Sequence, residues 1–173
     1  MHAEVYQFLK NLKDQHSDYF KNVKVLEVGS QDINGSVRIH FEECNYTGID
    51  LGEAPGVDLV VDINDYITPN TYDTVISSEM LEHCKNWESA LLRMYDNTKH
   101  KGMFILTCAS INRHEHGTHN HTTNDSKFTL DHYRNISILD FHSILPETLF
   151  DEYCLGVHRN LEDLLFWGIK KSS

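Results

Sequence analysis

Residues 23–38 read Val-Lys-Val-Leu-Glu-Val-Gly-Ser-Gln-Asp-Ile-Asn-Gly-Ser-Val-Arg, and residues 46–50 read Tyr-Thr-Gly-Ile-Asp. The pattern is a strand, a turn with two glycines, a helix and a second strand ending on a carboxylate. Val23, Val25, Leu26 and Val28 form a short, β-branched-rich run of the kind a strand buried on both faces requires. Gly29 lets the backbone turn sharply and approach a ligand closely, because it has no Cβ. At the end of the next strand, the Asp50 carboxylate is placed to accept hydrogen bonds from two ribose hydroxyls. This layout predicts a nucleoside-containing cofactor.

Working outward, the alternation of strand and helix continues. An N-terminal amphipathic helix carries Val5, Phe8, Leu9 and Leu12 at helical spacing. Strands are expected at 23–28, 46–50, 57–62, 72–77 and 103–108, with a helix over about 35–43 after the first. Trp87, Ala90, Leu91, Met94 and Tyr95 recur at i, i+3, i+4, i+7 and i+8, which predicts a helix with one buried face. Ser137 is positioned to cap a further helix, with Asp140 in its first turn. Two final strands, 149–157 and 163–170, have no helix between them and pair most simply as antiparallel neighbours. The sum is an α/β, doubly wound, Rossmann-like sheet of about seven strands, mostly parallel with one antiparallel strand near the C-terminal end. Ligands on such sheets bind beyond the carboxyl ends of the strands. Gly29, Asp50, Asp62, Ser77, Ser78, Glu79, Ala109 and Ser110 all fall there.

The 173 residues fit a single domain, 1–173, with no linker or repeat. Fifteen basic against 26 acidic side chains give a net charge of −11, which argues against a broad nucleic-acid surface. No segment has the length or apolarity of a transmembrane helix, and the N-terminus lacks the continuous apolar core of a signal peptide. Cys44, Cys84, Cys108 and Cys154 match no zinc spacing and read as reduced, mostly buried thiols in a cytoplasmic protein.

These residues resemble class I S-adenosylmethionine-dependent methyltransferases, of the small type close to the methyltransferase type 11 pattern. Leu26-Glu27-Val28-Gly29-Ser30 resembles the family's first motif, Asp50-Leu51 the ribose-binding carboxylate and its adenine neighbour, and Asp62-Ile63 the acidic–apolar pair at the adenine. Residues 72–83, Tyr-Asp-Thr-Val-Ile-Ser-Ser-Glu-Met-Leu-Glu-His, resemble the fourth-strand motif, and Lys101-Gly102-Met103-Phe104 the turn into strand five. The resemblance implies strand order 3-2-1-4-5-7-6. It also implies that S-adenosylmethionine is held by Glu27, Gly29, Ser30, Gln31, Asn34, Asp50, Leu51, Asp62, Ile63, Ser78 and Glu79, with S-adenosylhomocysteine as coproduct. One departure stands out: Gln31 occupies a place where the family commonly has glycine. A nicotinamide-dependent dehydrogenase is disfavoured, because the full Gly-x-Gly-x-x-Gly fingerprint is missing.

Residues 109–134 are polar, histidine-rich and without period, and such a long loop is expected to form a substrate-side loop or lid. His83, past strand four, is the first general-base candidate. Glu115, His116 and Tyr133 are further candidates for catalytic or substrate contact. Arg113-x-Glu115-His116-Gly117, followed by Asp131-His132-Tyr133-Arg134-Asn135, resembles a subgroup associated with methylation of surface glycans or small molecules. The expected activity is therefore O- or N-methylation of a small-molecule or glycan acceptor, by a monomer or homodimer with no nucleic-acid or membrane partner. The alternative is a catalytically silent S-adenosylmethionine-binding protein that uses the histidine loop for a partner or metal. The pairs His114/His116 and His119/His121 are compatible with a divalent metal, but no fixed-spacing motif is present and no metal is assigned.

Overall fold

A computed structural model describes residues 3–158 and 161–172. A seven-stranded sheet runs in the order β3-β2-β1-β4-β5-β7-β6. Its strands are β1 (Lys24–Val28), β2 (Asn45–Asp50), β3 (Leu59–Val60), β4 (Tyr72–Ser78), β5 (Thr98–Ala109), β6 (Phe150–His158) and β7 (Asp163–Lys170). The β1 strand is central, parallel to β2 on one side and to β4 on the other. The β7 strand is antiparallel to both β5 and β6. The expected mixed sheet, its order and its single reversed strand are all present.

The period-two alternation of each strand divides the core. On one face Val25, Ile76, Met103, Ile105 and Trp167 meet helix α1 (Ala3–Gln15) through Val5, Leu9 and Leu12. On the other, Leu26, Val75, Phe104, Leu106 and Phe166 pack on α2 (Trp87–Asn97) and α3 (Ile138–Ile144) through Leu91, Met94 and Phe141. Helix α3 starts in a full capping box, in which Ser137 and Asp140 each bond the other's backbone. No helix among the described residues is long and apolar enough to cross a membrane.

Two elements are shorter than their patterns predict. The helix expected over 35–43 is only a 3-10 turn, Val37–His40. The β-branched Val37 and Ile39 give it little helical propensity. Tertiary contacts then dominate: Arg38 pairs with Asp58 at 2.6 Å, and Phe41 stacks on Phe20. The third strand, expected over 57–62, pairs only at Leu59 and Val60, because it is an exposed edge beside the end of β2. The cysteines also depart from expectation. They are free as predicted, but only Cys108 is buried, and Cys154 is exposed.

Candidate active site

The carboxyl ends of β1, β2 and β4 open into a cleft of about 510 Å³, a volume suited to a small-molecule cofactor. The cleft begins at Gly29, whose φ of +79° turns the chain out of β1. Its N–H and that of Ser30 both donate to the Ile49 carbonyl. A Cβ at Gly29 would stand 2.6 Å from the Cβ of Met80, so the turn requires glycine for space as well as conformation.

Three carboxylates line the first half of the cleft. Asp50 accepts from the backbone N–H of Leu51 at 2.7 Å and of Gln31 at 3.1 Å. Burial raises its pKa, and these two bonds oppose the rise. The departure at position 31 is thereby explained, since the bond uses the backbone of Gln31 and any non-proline residue can supply it. Glu27 is 4% exposed and accepts from the Tyr46 hydroxyl at 2.8 Å. Burial pushes its pKa up to about 7. Asp62 accepts from the backbone and side-chain amides of Asn64, and buried Ile63 lies beside it.

Beyond β4 the chain passes through Glu79 in the left-handed region, φ +54°, a conformation that costs a non-glycine residue about 1–2 kcal/mol. Thr107 of β5 holds it there: its carbonyl accepts the Glu79 N–H, and its hydroxyl donates to the Glu79 carboxylate, both at 2.8 Å. Ser78 also reaches the Thr107 hydroxyl, at 3.1 Å. Desolvation, reinforced by the nearby carboxylate of Asp163, raises the pKa of Glu79. Asp163 itself is fully buried and takes a 2.8 Å ion pair from Arg113.

The histidine-rich segment closes the second half. Residues from Arg113 to His132 line the cleft, including Glu115, His116, Asp125 and Phe128. The Phe128 ring lies against Gly52, just past β2, so the segment spans the mouth from the β5 end to the β2 end. Gly117, at φ +61°, lets the chain pass directly over His83, whose Cε1 would be 2.6 Å from a Cβ there. His83, His116 and Tyr133 make three mutual ring contacts with centroids 4.9–5.6 Å apart. Burial, with the charge of His116 second, depresses the pKa of His83 to about 4, so its ring is neutral at pH 7.

Residues 26–106 match the family model described as a methyltransferase domain. The matched segment, just under half of the chain, is similar to class I S-adenosylmethionine-dependent methyltransferase domains. Among solved structures, it is similar in fold to 1,6-didemethyltoxoflavin-N1-methyltransferase of Burkholderia thailandensis, with bound 1,6-didemethyltoxoflavin and S-adenosylhomocysteine. That match has a TM-score of 0.64 at 13% identity and covers 95% of this chain and 78% of the other. Phosphoethanolamine N-methyltransferase 2 of Haemonchus contortus, in complex with S-adenosyl-L-methionine, matches with a TM-score of 0.70 at 16% identity. It covers 96% of this chain, which spans about half (53%) of that longer chain. A putative methyltransferase of Haloferax volcanii, in complex with the Trm112 activator, matches with a TM-score of 0.61 at 14% identity over 96% of this chain and 95% of that one. Among curated proteins no sequence matches the chain.

The cleft gathers most of the residues expected from sequence: Glu27, Gly29, Gln31, Asn34, Asp50, Leu51, Asp62, Ile63, Ser78, Glu79, His83, Glu115 and His116 all line it. Ser30 does not. Its hydroxyl is sealed beneath the turn, against Gly48. Tyr133 also stands outside the cleft lining, beside His83 and His116, and donates to the His114 carbonyl. Of the loop's His-x-His pairs, half-buried His116 and exposed His114 line the cleft, while His119 and His121 are exposed and do not. Sequence reasoning missed Tyr46 and Phe128. It also left Glu82 without a role, although this carboxylate is fully buried. The available signal was its place between Leu81 and His83, directly after a buried strand.

Proposed function

We propose that the domain binds S-adenosylmethionine in this cleft and transfers its methyl group to a small-molecule or glycan acceptor held under the 109–134 segment, which acts as a substrate-side lid. The observation that carries the reading is the division of one cleft into two chemistries. Glu27, Asp50 and Asp62 line one half, and His83, Glu115 and His116 line the other. In the first half Glu27 faces the cofactor's amino group, Asp50 the ribose hydroxyls, and Asp62 with Ile63 the adenine. Ser78 and Glu79, at the end of β4, border the methionine side.

Transfer needs the acceptor lone pair in line with the carbon–sulfur bond, so positioning supplies much of the rate. As the new bond forms, the carbon–sulfur pair returns to sulfur, leaving S-adenosylhomocysteine. The acceptor's proton passes to a nearby base. The His116 Nδ1 faces the His114 carbonyl at 3.0 Å and must donate to it, which leaves Nε2 as the basic nitrogen. Neutral His83 and Glu115 orient the acceptor beside it, and Tyr133 braces the rings of His83 and His116 from behind. Small-molecule N-methyltransferases among the structural neighbours support this substrate class.

The test is incubation with methyl-labelled S-adenosylmethionine and a panel of amine, hydroxyl and glycan acceptors. The reading expects label on at least one acceptor and its loss in His116→Ala. Cofactor binding without transfer to any acceptor class would favour the silent alternative.

A further inference from the structure

Three side chains that face each other behind the acceptor end have free ligand atoms. Glu82 is fully buried, and neither carboxylate oxygen has a hydrogen-bond partner. A buried, unpartnered carboxylate is costly and needs a compensating group. His83 is 6% exposed, and its Nδ1 is likewise sealed and unpartnered. His116 donates from Nδ1 to the His114 carbonyl, which leaves the Nε2 lone pair free and 4.0 Å from a Glu82 oxygen. One ligand atom from each of Glu82, His83 and His116 lies within 4.8 Å of the others.

The geometry points to a divalent transition-metal site formed by Glu82, His83 and His116. Two imidazoles and one carboxylate are the ligand set of open, catalytic-type zinc sites, and imidazole suits zinc, cobalt and iron better than magnesium or calcium. Ligand atoms around tetrahedral zinc stand roughly 3.4 Å apart for bonds of about 2.0–2.2 Å, so the three side chains need to draw in by about an ångström. The outer contacts fit as well. Metal-binding histidines almost always tie their second nitrogen to a carbonyl or carboxylate, which fixes the tautomer. His116 fits this pattern, with Nδ1 held by the His114 carbonyl and Nε2 free.

The site joins residues 33 positions apart and is not a local motif. Gly117 brings the loop over His83 closely enough for His116 to reach Glu82. Of the loop's other histidines, His119 and His121 are exposed and do not line the cleft. Since His83 and His116 line the cleft, a fourth coordination position opens toward it. Resting on the proposed methyl transfer, that position suits an acceptor oxygen or nitrogen, whose proton a bound cation would make easier to remove; with its Nε2 lone pair on the metal, His116 is then a ligand, and the proton leaves to Glu115 or solvent.

Cobalt(II) titration of the metal-stripped protein, followed by visible absorption, tests the site without any turnover. One cobalt per chain should bind with the strong bands of a tetrahedral centre, and zinc should displace it. His116→Ala and Glu82→Gln should each weaken cobalt binding more than about tenfold. A His119→Ala/His121→Ala double variant should bind like the wild type. Thermal melts check folding, and His116→Ala alone decides the matter if Glu82→Gln does not fold. Absence of saturable cobalt binding, or equal affinity in wild type and His116→Ala, overturns the site. Titration with S-adenosylmethionine reads the cofactor half independently, so a failed metal site and a failed cofactor assignment are told apart.

Discussion

The backbone N–H of Gln31 donates to the Asp50 carboxylate across 3.1 Å, tying the turn after β1 to the end of β2. The residue that breaks the family's glycine pattern thus acts through its main chain. Gln31→Ala should leave cofactor affinity within about threefold of wild type, a change below 1 kcal/mol. Gln31→Pro removes the donor and should weaken binding by tenfold or more, about 1.4 kcal/mol. Calorimetry on the two variants separates a side-chain role from a backbone one.

Gly29→Ala should destabilise the fold itself. The left-handed backbone costs a non-glycine residue about 1–2 kcal/mol, and the new methyl would stand 2.6 Å from the Met80 Cβ, which cannot rotate away. A total near 3 kcal/mol corresponds to a drop in Tm of roughly 6–12 °C for a chain of this size. A melt within about 2 °C of wild type would contradict the packing at this turn.

Glu27 predicts a pH dependence. Burial raises its pKa from 4.5 to about 7, so the folded chain keeps a proton that the unfolded chain releases. Its stabilising contribution is complete below the unfolded value and is lost as pH rises through the folded value. The loss is about 3 kcal/mol at most. Stability should therefore fall between about pH 4.5 and 7 in wild type, and less steeply in Glu27→Gln, by denaturant titration across that range. If the cofactor's ammonium sits on Glu27, binding at roughly pH 6 should also release a proton, visible as heats that vary with the buffer.

Phe128 reaches from the histidine-rich segment to Gly52 and covers the end of the cleft near Asp50. It is 42% exposed, so truncation should cost the fold little. Phe128→Ala should weaken cofactor binding by about five- to tenfold, mainly through faster release, as expected when an aromatic cover worth about 1 kcal/mol is removed. Stopped-flow dissociation rates check this, and an unchanged rate would argue that the segment does not act as a lid.

What was legible in sequence follows from where local and global preferences agree. The β7 run from Asp163 to Lys170 was readable because it is apolar and bounded by polar ends. Even Lys170 fits, since its buried ammonium donates to the Tyr95 and Thr98 carbonyls. Ser137 and Asp140 announced α3 through local capping chemistry. The segment after Gly35 misled because a helix was expected there from the strand–turn layout before it, whereas Val37, Ile39 and Phe41 alternate at period two and Arg38 and Phe41 are claimed by Asp58 and Phe20. The carboxylates proposed to hold the ribose and adenine, Asp50 and Asp62, were visible at the ends of predicted strands. Glu82 was not, because its setting depends on a loop returning 34 residues later, at His116.

The most direct test is calorimetric titration of S-adenosylmethionine into wild type and Asp50→Ala. One equivalent should bind the wild type, and the variant should lose about 2–4 kcal/mol, thirtyfold or more, for the missing charged hydrogen bonds. No binding to the wild type, or equal affinity in both proteins, would contradict the assignment of this cleft.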